Sequence, residues 1–238
     1  MSTQHPPGGG ARLGHVRFSA AQLLIALVLL FVATPFMEGL RHGQLIEVIL
    51  LSVVLVTAVF AVGTSGRALW IGGLLCVVTV GARWSYHFFP HLIPVWVFHG
   101  AAILFLSFVV MQILRFILRA PKVNSEVLCA AIAAYLLIGL LWALNYVLVG
   151  QLSPDAFAFS TGPEAARKMD RFNAFYFSFV VLSTVGFGDI TPVSPAARML
   201  AMMEAVTGLF YVTVLVARLV AMYAPKAHHA PPTDSKNP

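Results

Sequence analysis

Charge is what this chain has least of. Only 10% of its 238 residues are Asp, Glu, Lys or Arg, against about 25% in soluble domains. So few charges cannot clothe a water-soluble surface, and 59% of the residues are hydrophobic. Acids are the scarcer kind, so the net charge is +6 and the isoelectric point lies near 9.7. That balance would suit nucleic acid if the basic residues formed a patch. They sit instead in short segments between apolar runs, where they set membrane orientation, and no nucleic-acid partner is expected. Cysteine is nearly missing. Cys76 and Cys129 each lie inside an apolar run, which excludes a disulfide framework and leaves packed thiols. No nucleophile–base pair and no phosphate-binding glycine loop is found, so neither an enzyme nor a cofactor is expected. His87, His91 and His99 do not share one helical face well, and no cysteine or acid joins them; they do not read as a metal site.

Long apolar runs take the place of charge. They cover 18–37, 45–62, 68–83, 95–118, 126–149 and 196–223, each read as a membrane-crossing helix. The first is too long for a signal peptide and lacks a small-residue cleavage site, so it reads as a retained span. Residues 84–94 form an aromatic, histidine-containing loop suited to the interface. Residues 119–125 are a basic linker broken by Pro121, and Ser125 is the expected N-cap of the fifth helix. After a polar loop at 150–169, Asp170 caps a short helix over 171–182. Twelve residues give about 18 Å, too short to cross, so this helix goes partway in and the chain returns as a loop. Ser194-Pro195 opens the last helix, with proline at the first helical position. The expected fold is an all-α membrane protein of six transmembrane helices plus a re-entrant pore helix and filter. Its parts are an N-terminal tail (1–17), a four-helix sensor-like or scaffold domain (18–118), the linker (119–125), a pore domain (126–223) and a C-terminal tail (224–238). No further soluble domain is expected. An even number of spans puts both termini on one side. The Lys and Arg bias of the loops makes that side the cytoplasm, in the cell membrane.

The returning loop reads Ser183-Thr184-Val185-Gly186-Phe187-Gly188-Asp189. A cation leaves water only where other oxygens replace its hydration shell, and backbone carbonyls of a short loop repeated around an axis can do so. Gly186 and Gly188 free the backbone at alternate positions, which would aim successive carbonyls at one line. Thr184 adds a hydroxyl at the inner end. Val185 and Phe187 are expected to turn away and pack behind the loop. The candidate coordinating residues are Thr184, Val185, Gly186, Phe187 and Gly188, with ions held between Thr184 and Phe187. There is one such loop and no internal repeat.

Together with Tyr176-Phe177-Ser178-Phe179 before it and Ile190-Thr191-Pro192 after it, this run resembles the signature of potassium channels of the voltage-gated-like superfamily, prokaryotic six-span type, with Phe187 where tyrosine is commoner. The resemblance is specific over 125–222 and only architectural over 18–118. It implies a homotetramer in membrane lipid, around a path for potassium as the permeant ion. It implies an acid, Asp189, held from behind by a pore-helix donor. The matching donor position is Phe177, which cannot donate, and Val180 stands where some relatives carry a glutamate. Ser183, Asp189, Phe177, Val180 and Glu204 are the candidate support of the filter. Glu204 lies in the upper third of the last span, where a charge defaults to a function; it is expected to bond Ser178 or Ser183. Gly208 matches the family's inner-helix hinge, or serves close packing. Thr207 and Thr213 line an inner cavity or bond their own backbone.

Relatives place arginines at every third residue of the fourth span. Here 95–107 holds none, and Arg115 and Arg119 come only at its inner end. The expected function is a potassium-selective passive channel that is not steeply voltage-gated. The alternatives are a non-conducting membrane subunit with a pore-like fold and a secondary transporter, the latter usually marked by internal repeats.

Overall fold

The computed structural model describes residues 20–37, 43–62, 66–88, 95–122, 124–160 and 167–223. The tails expected at 1–17 and 224–238, His91 and residues 161–166 of the expected polar loop lie outside the described residues. Seven helices are described: α1 (Ala20–Met37), α2 (Gly43–Val62), α3 (Gly66–Phe88), α4 (Val95–Arg119), α5 (Ser125–Leu152), α6 (Arg171–Leu182) and α7 (Pro195–Tyr223). They make an all-α membrane protein. Three apolar stretches are long enough to cross a bilayer on described residues alone: His99–Arg119, Ser125–Leu152 and Pro195–Arg218. Shorter apolar stretches lie in α1, α2 and α3.

The caps follow from side-chain chemistry. Asn124, not Ser125, caps α5: its Oδ1 accepts from the Val127 N–H at 3.0 Å. Both residue types suit the position; the chain turns one residue earlier than expected. Asp170 caps α6 by accepting from Asn173 N–H at 2.9 Å. Ser194 Oγ accepts from Ala197 N–H at 3.2 Å at the start of α7.

α4 packs along α5, α1 reaches both α2 and α5, and α6 lies against α5 and α7. Leu27, Ala58, Phe105, Val109, Ala133 and Leu137 form one continuous buried core through α1, α2, α4 and α5. A second core lies near the C-terminal end of α5, where Tyr146, Phe157 and Phe177 meet edge to face at 4.9–5.8 Å. The Arg218 guanidinium donates to the carbonyl of Ala120 at 2.8 Å, tying the end of α7 to the linker that follows α4.

The sequence reads 150–169 as loop. In the structure α5 runs on to Leu152, a short 3-10 turn follows, and β1 (Phe157–Phe159) pairs antiparallel with β2 (Ile190–Pro192). Phe157 faces Pro192, Ala158 faces Thr191 and Phe159 faces Ile190. The ribbon joins the segment after α5 to the segment after the loop that follows α6.

Candidate functional site

The loop begins in the way α6 ends. Thr184 N–H donates to Val181 O at 2.9 Å and Val185 N–H donates to Val180 O at 2.9 Å. These two crossed bonds, with a left-handed residue between helix and loop, are a Schellman ending. Glycine is usual at the left-handed position. Here it is Thr184, with φ 59°, a conformation that costs an L-residue about 1–2 kcal/mol. Gly186 and Gly188 follow with φ 60° and 79°. Left-handed φ thus recurs at every second residue from 184 to 188. Glycine supplies two of these turns without strain; Thr184 supplies the third against its preference, where strain and function often coincide.

Val185 and Phe187 do not pack behind the loop within the chain. Val185 is 53% exposed and Phe187 68% exposed. Phe187 has one ring partner described, Tyr176, stacked nearly parallel (6°) at 6.5 Å. Exposed apolar residues of this size on a loop fit a surface that another chain covers.

Asp189 is gripped twice. Tyr176 donates its phenolic proton to Asp189 Oδ2 at 2.8 Å. From the other side, Ser160 N–H and Ser160 Oγ both donate to the Asp189 carbonyl, at 2.9 and 3.1 Å. The sequence reading looked for the pore-helix donor at Phe177 and found none. The donor stands one position earlier. Phe177 instead is buried in the second, aromatic core, and Val180 acts through its main-chain carbonyl, which holds the loop. A tyrosine on the pore helix one residue from the position searched was the available signal. Ser160 gave none, because its approach depends on the ribbon.

Behind α6 lies a buried polar cluster. Glu204 is fully buried. Tyr146 OH donates to its Oε2, and Ser178 Oγ lies against its Oε1, both at 2.5 Å. Ser178 Oγ also reaches the Gly139 carbonyl at 2.7 Å. Three helices, α5, α6 and α7, therefore meet on one carboxyl. Ser178 is the serine that Glu204 meets; Ser183 Oγ bonds the Phe179 carbonyl at 2.6 Å. Tyr146 was not singled out in the sequence, where nothing marks it from other aromatics in α5.

Gly208 is buried against the C-terminal end of α6, and a Cβ there would overlap the Leu182 carbonyl oxygen. Close packing is thus what its lack of a side chain serves in this conformation. Thr207 and Thr213 bond the carbonyls of Met203 and Leu209 at 2.7 and 2.8 Å.

The chain resembles known proteins over this same region. Residues 127–224 match a family model described as ion channel. A two pore potassium channel c from Oryza sativa subsp. japonica is 32% identical over 109 residues, 44% of this chain and 23% of that protein. Potassium channel K1 of Plasmodium berghei (strain Anka) is 46% identical over 52 residues, 21% of this chain and 3% of that protein. The chain therefore spans less than a quarter of the length of either relative. Both are channels rather than enzymes.

Proposed function

We propose, for a chain whose residues 127–224 match an ion-channel family model and resemble parts of two potassium channels, that it passes potassium selectively as a homotetramer. The observation that carries this reading is the alternation of left-handed φ at Thr184, Gly186 and Gly188, in a loop held by the end of a helix too short to cross. Such a backbone can present successive carbonyls to one axis, as dehydrating an ion requires. Thr184, Val185, Gly186, Phe187 and Gly188 are the coordinating residues in this proposal, with the Thr184 hydroxyl at the inner end. The C-terminal end of α6 directs its carbonyl dipole toward the same path, which favours a cation. Asp189, Ser183, Phe177, Val180 and Glu204 hold the loop in place. Gly208 serves α6–α7 packing and a bending point for α7 on opening.

The tetramer is supported by what one chain leaves uncovered. Only 11% of the apolar stretch of α7 is buried, against 56% of that of α5. Met202, Met203, Leu209, Phe210 and Val216 are all more than half exposed. Neighbouring copies and lipid are the covers that suit them. Both termini are placed in the cytoplasm by the Lys and Arg bias of the loops.

The test is potassium flux through purified protein in liposomes, with reversal potentials in mixed potassium and sodium. Channel-rate, potassium-selective flux is expected, and Gly186→Ala should abolish it. Within the chain nothing lies within 4 Å of a Cβ at Gly186, and its φ of 60° strains any L side chain. Slow saturable exchange would point to a transporter, and no flux to a non-conducting subunit.

A further inference from the structure

We propose that a cavity of about 90 Å³ between the first four helices and the pore helix binds a small neutral molecule that joins an apolar body to one hydroxyl, an alcohol or a phenol. Its occupancy would shift the pore helix. The coupling to the pore helix matters only if the chain conducts as proposed above; the binding does not depend on it.

Six helices line this space, α1 to α6. Its walls are mostly apolar, and Leu30, Leu55, Leu106 and Ala143 among them are each 5% exposed or less. Apolar walls with a few polar groups are the usual make-up of a small-molecule site. Away from Arg171 at one end, they offer nothing to offset the desolvation of a bare charge.

The polar groups define the guest further. Thr34, Ser52 and Thr79 line the cavity. Each has already given its proton to its own helix: Thr34 Oγ1 to Leu30 O at 2.7 Å, Ser52 Oγ to Val48 O at 2.7 Å, Thr79 Oγ1 to Leu75 O at 2.8 Å. A hydroxyl has one proton and two lone pairs. What these three can still offer is acceptor capacity, so they favour a guest that donates; the buried His99 imidazole adds one more polar group to the lining. An O–H on an apolar body meets both demands. Arg171 lines one end and is itself exposed; its charge disfavours an ammonium guest.

The cavity touches the filter machinery through Phe175. This residue lines it, meets Phe31 edge to face at 4.6 Å and lies 5.0 Å from the Phe179 ring. Phe179 in turn fills the space where a Cβ on Gly139 would stand. The next two residues, Val180 and Val181, hold the loop by their carbonyls. A guest that displaces Phe175 thus acts on the helix from which Thr184 and Val185 hang.

The test uses the full chain in lipid nanodiscs and a phenol bearing a diazirine, with labelled residues mapped by mass spectrometry. Label is expected on Leu51, Ala102 or Ala143, which line the cavity. It should be displaced at least ten times more effectively by 4-methylphenol than by toluene, and not by 4-methylbenzoate. Ser52→Ala should narrow the phenol-over-toluene preference about five-fold, the value of one ordinary hydrogen bond. Ala143→Leu should fill the space and remove the label; if that variant does not fold, Ser52→Ala still decides. In potassium flux, 4-methylphenol should change the rate two-fold or more in the unmodified protein and not in Ala143→Leu, each compared with its own phenol-free rate. Label confined to lipid-facing residues such as Trp70, equal competition by toluene, or preferred competition by 4-methylbenzoate would each overturn the site. Labelling without any effect on an active channel would overturn the coupling. A chain that labels as expected but passes no potassium supports the site and counts against the channel reading alone.

Discussion

Tyr176 makes two contacts with the loop, a ring stack on Phe187 and a hydrogen bond to Asp189. Tyr176→Phe keeps the first and removes the second. A bond to a carboxylate contributes about 1.5–3 kcal/mol, so the balance between conducting and collapsed loops should move about ten-fold or more. The expected result is flux that decays at least ten times faster in low potassium; unchanged decay would mean that Ser160 alone restrains the acid. Glu204 allows a sharper test. Ser178 has one proton and two acceptors in reach, Gly139 O and Glu204 Oε1. Both contacts are hydrogen bonds only if the carboxyl carries a proton and gives it to Ser178. Glu204→Gln supplies the same donor and acceptor and should leave tetramer thermal stability within about 1 kcal/mol of the original. Glu204→Ala leaves the Tyr146 hydroxyl without its acceptor, which costs about 1–3 kcal/mol, while Ser178 keeps its bond to the Gly139 carbonyl. Equal damage from both substitutions would show that the carboxyl is charged. At this scale the left-handed turns at Gly186 and Gly188 were legible, because glycine spacing encodes backbone freedom locally. The partner of Asp189 was not. One residue along a helix turns the side chain by about 100°, and Tyr176 and Phe177 exchange roles with that turn.

The helices carried their own signatures. α6 has the bounds read from its sequence, since Asp170 and the length of the apolar run fix both ends. The ribbon was invisible, because Phe157-Ala158-Phe159 shows no strand pattern of useful length and its partner lies about thirty residues away. Which helix faces which in α1 to α4 was also unreadable, as these helices are apolar almost all round and show no narrow stripe. α4 supports a prediction of its own. From His99 to Leu114 it carries no Lys or Arg, and Arg115 and Arg119, at its inner end, are exposed. Moving one charge through 100 mV is worth about 2.3 kcal/mol, and strong sensors move three or four per subunit. Open probability in a planar bilayer from about −100 to +100 mV should therefore imply fewer than about two gating charges per tetramer. A steeper slope would require a charge that moves elsewhere in the chain.

For the whole molecule, hydropathy settled the class at once, while the assembly proposed above rests on what one chain leaves bare. Native mass spectrometry from nanodiscs should show four chains of 25.8 kDa as the conducting species. A monomer or dimer with undiminished flux would mean that lipid alone covers α7. The ribbon bears on the molecule in another way. By joining Phe159 to Ile190 it closes the chain into a loop, and α6 and residues 184–188 all hang from that closed base. The segment 157–192 is then a cassette with its own fastening. Exchanged between related chains as a whole, it carries both strands, the Ser160–Asp189 contact and the Tyr176–Asp189 bond with it. Cut shorter, at 171–189, it would arrive with its hinge left behind in the donor.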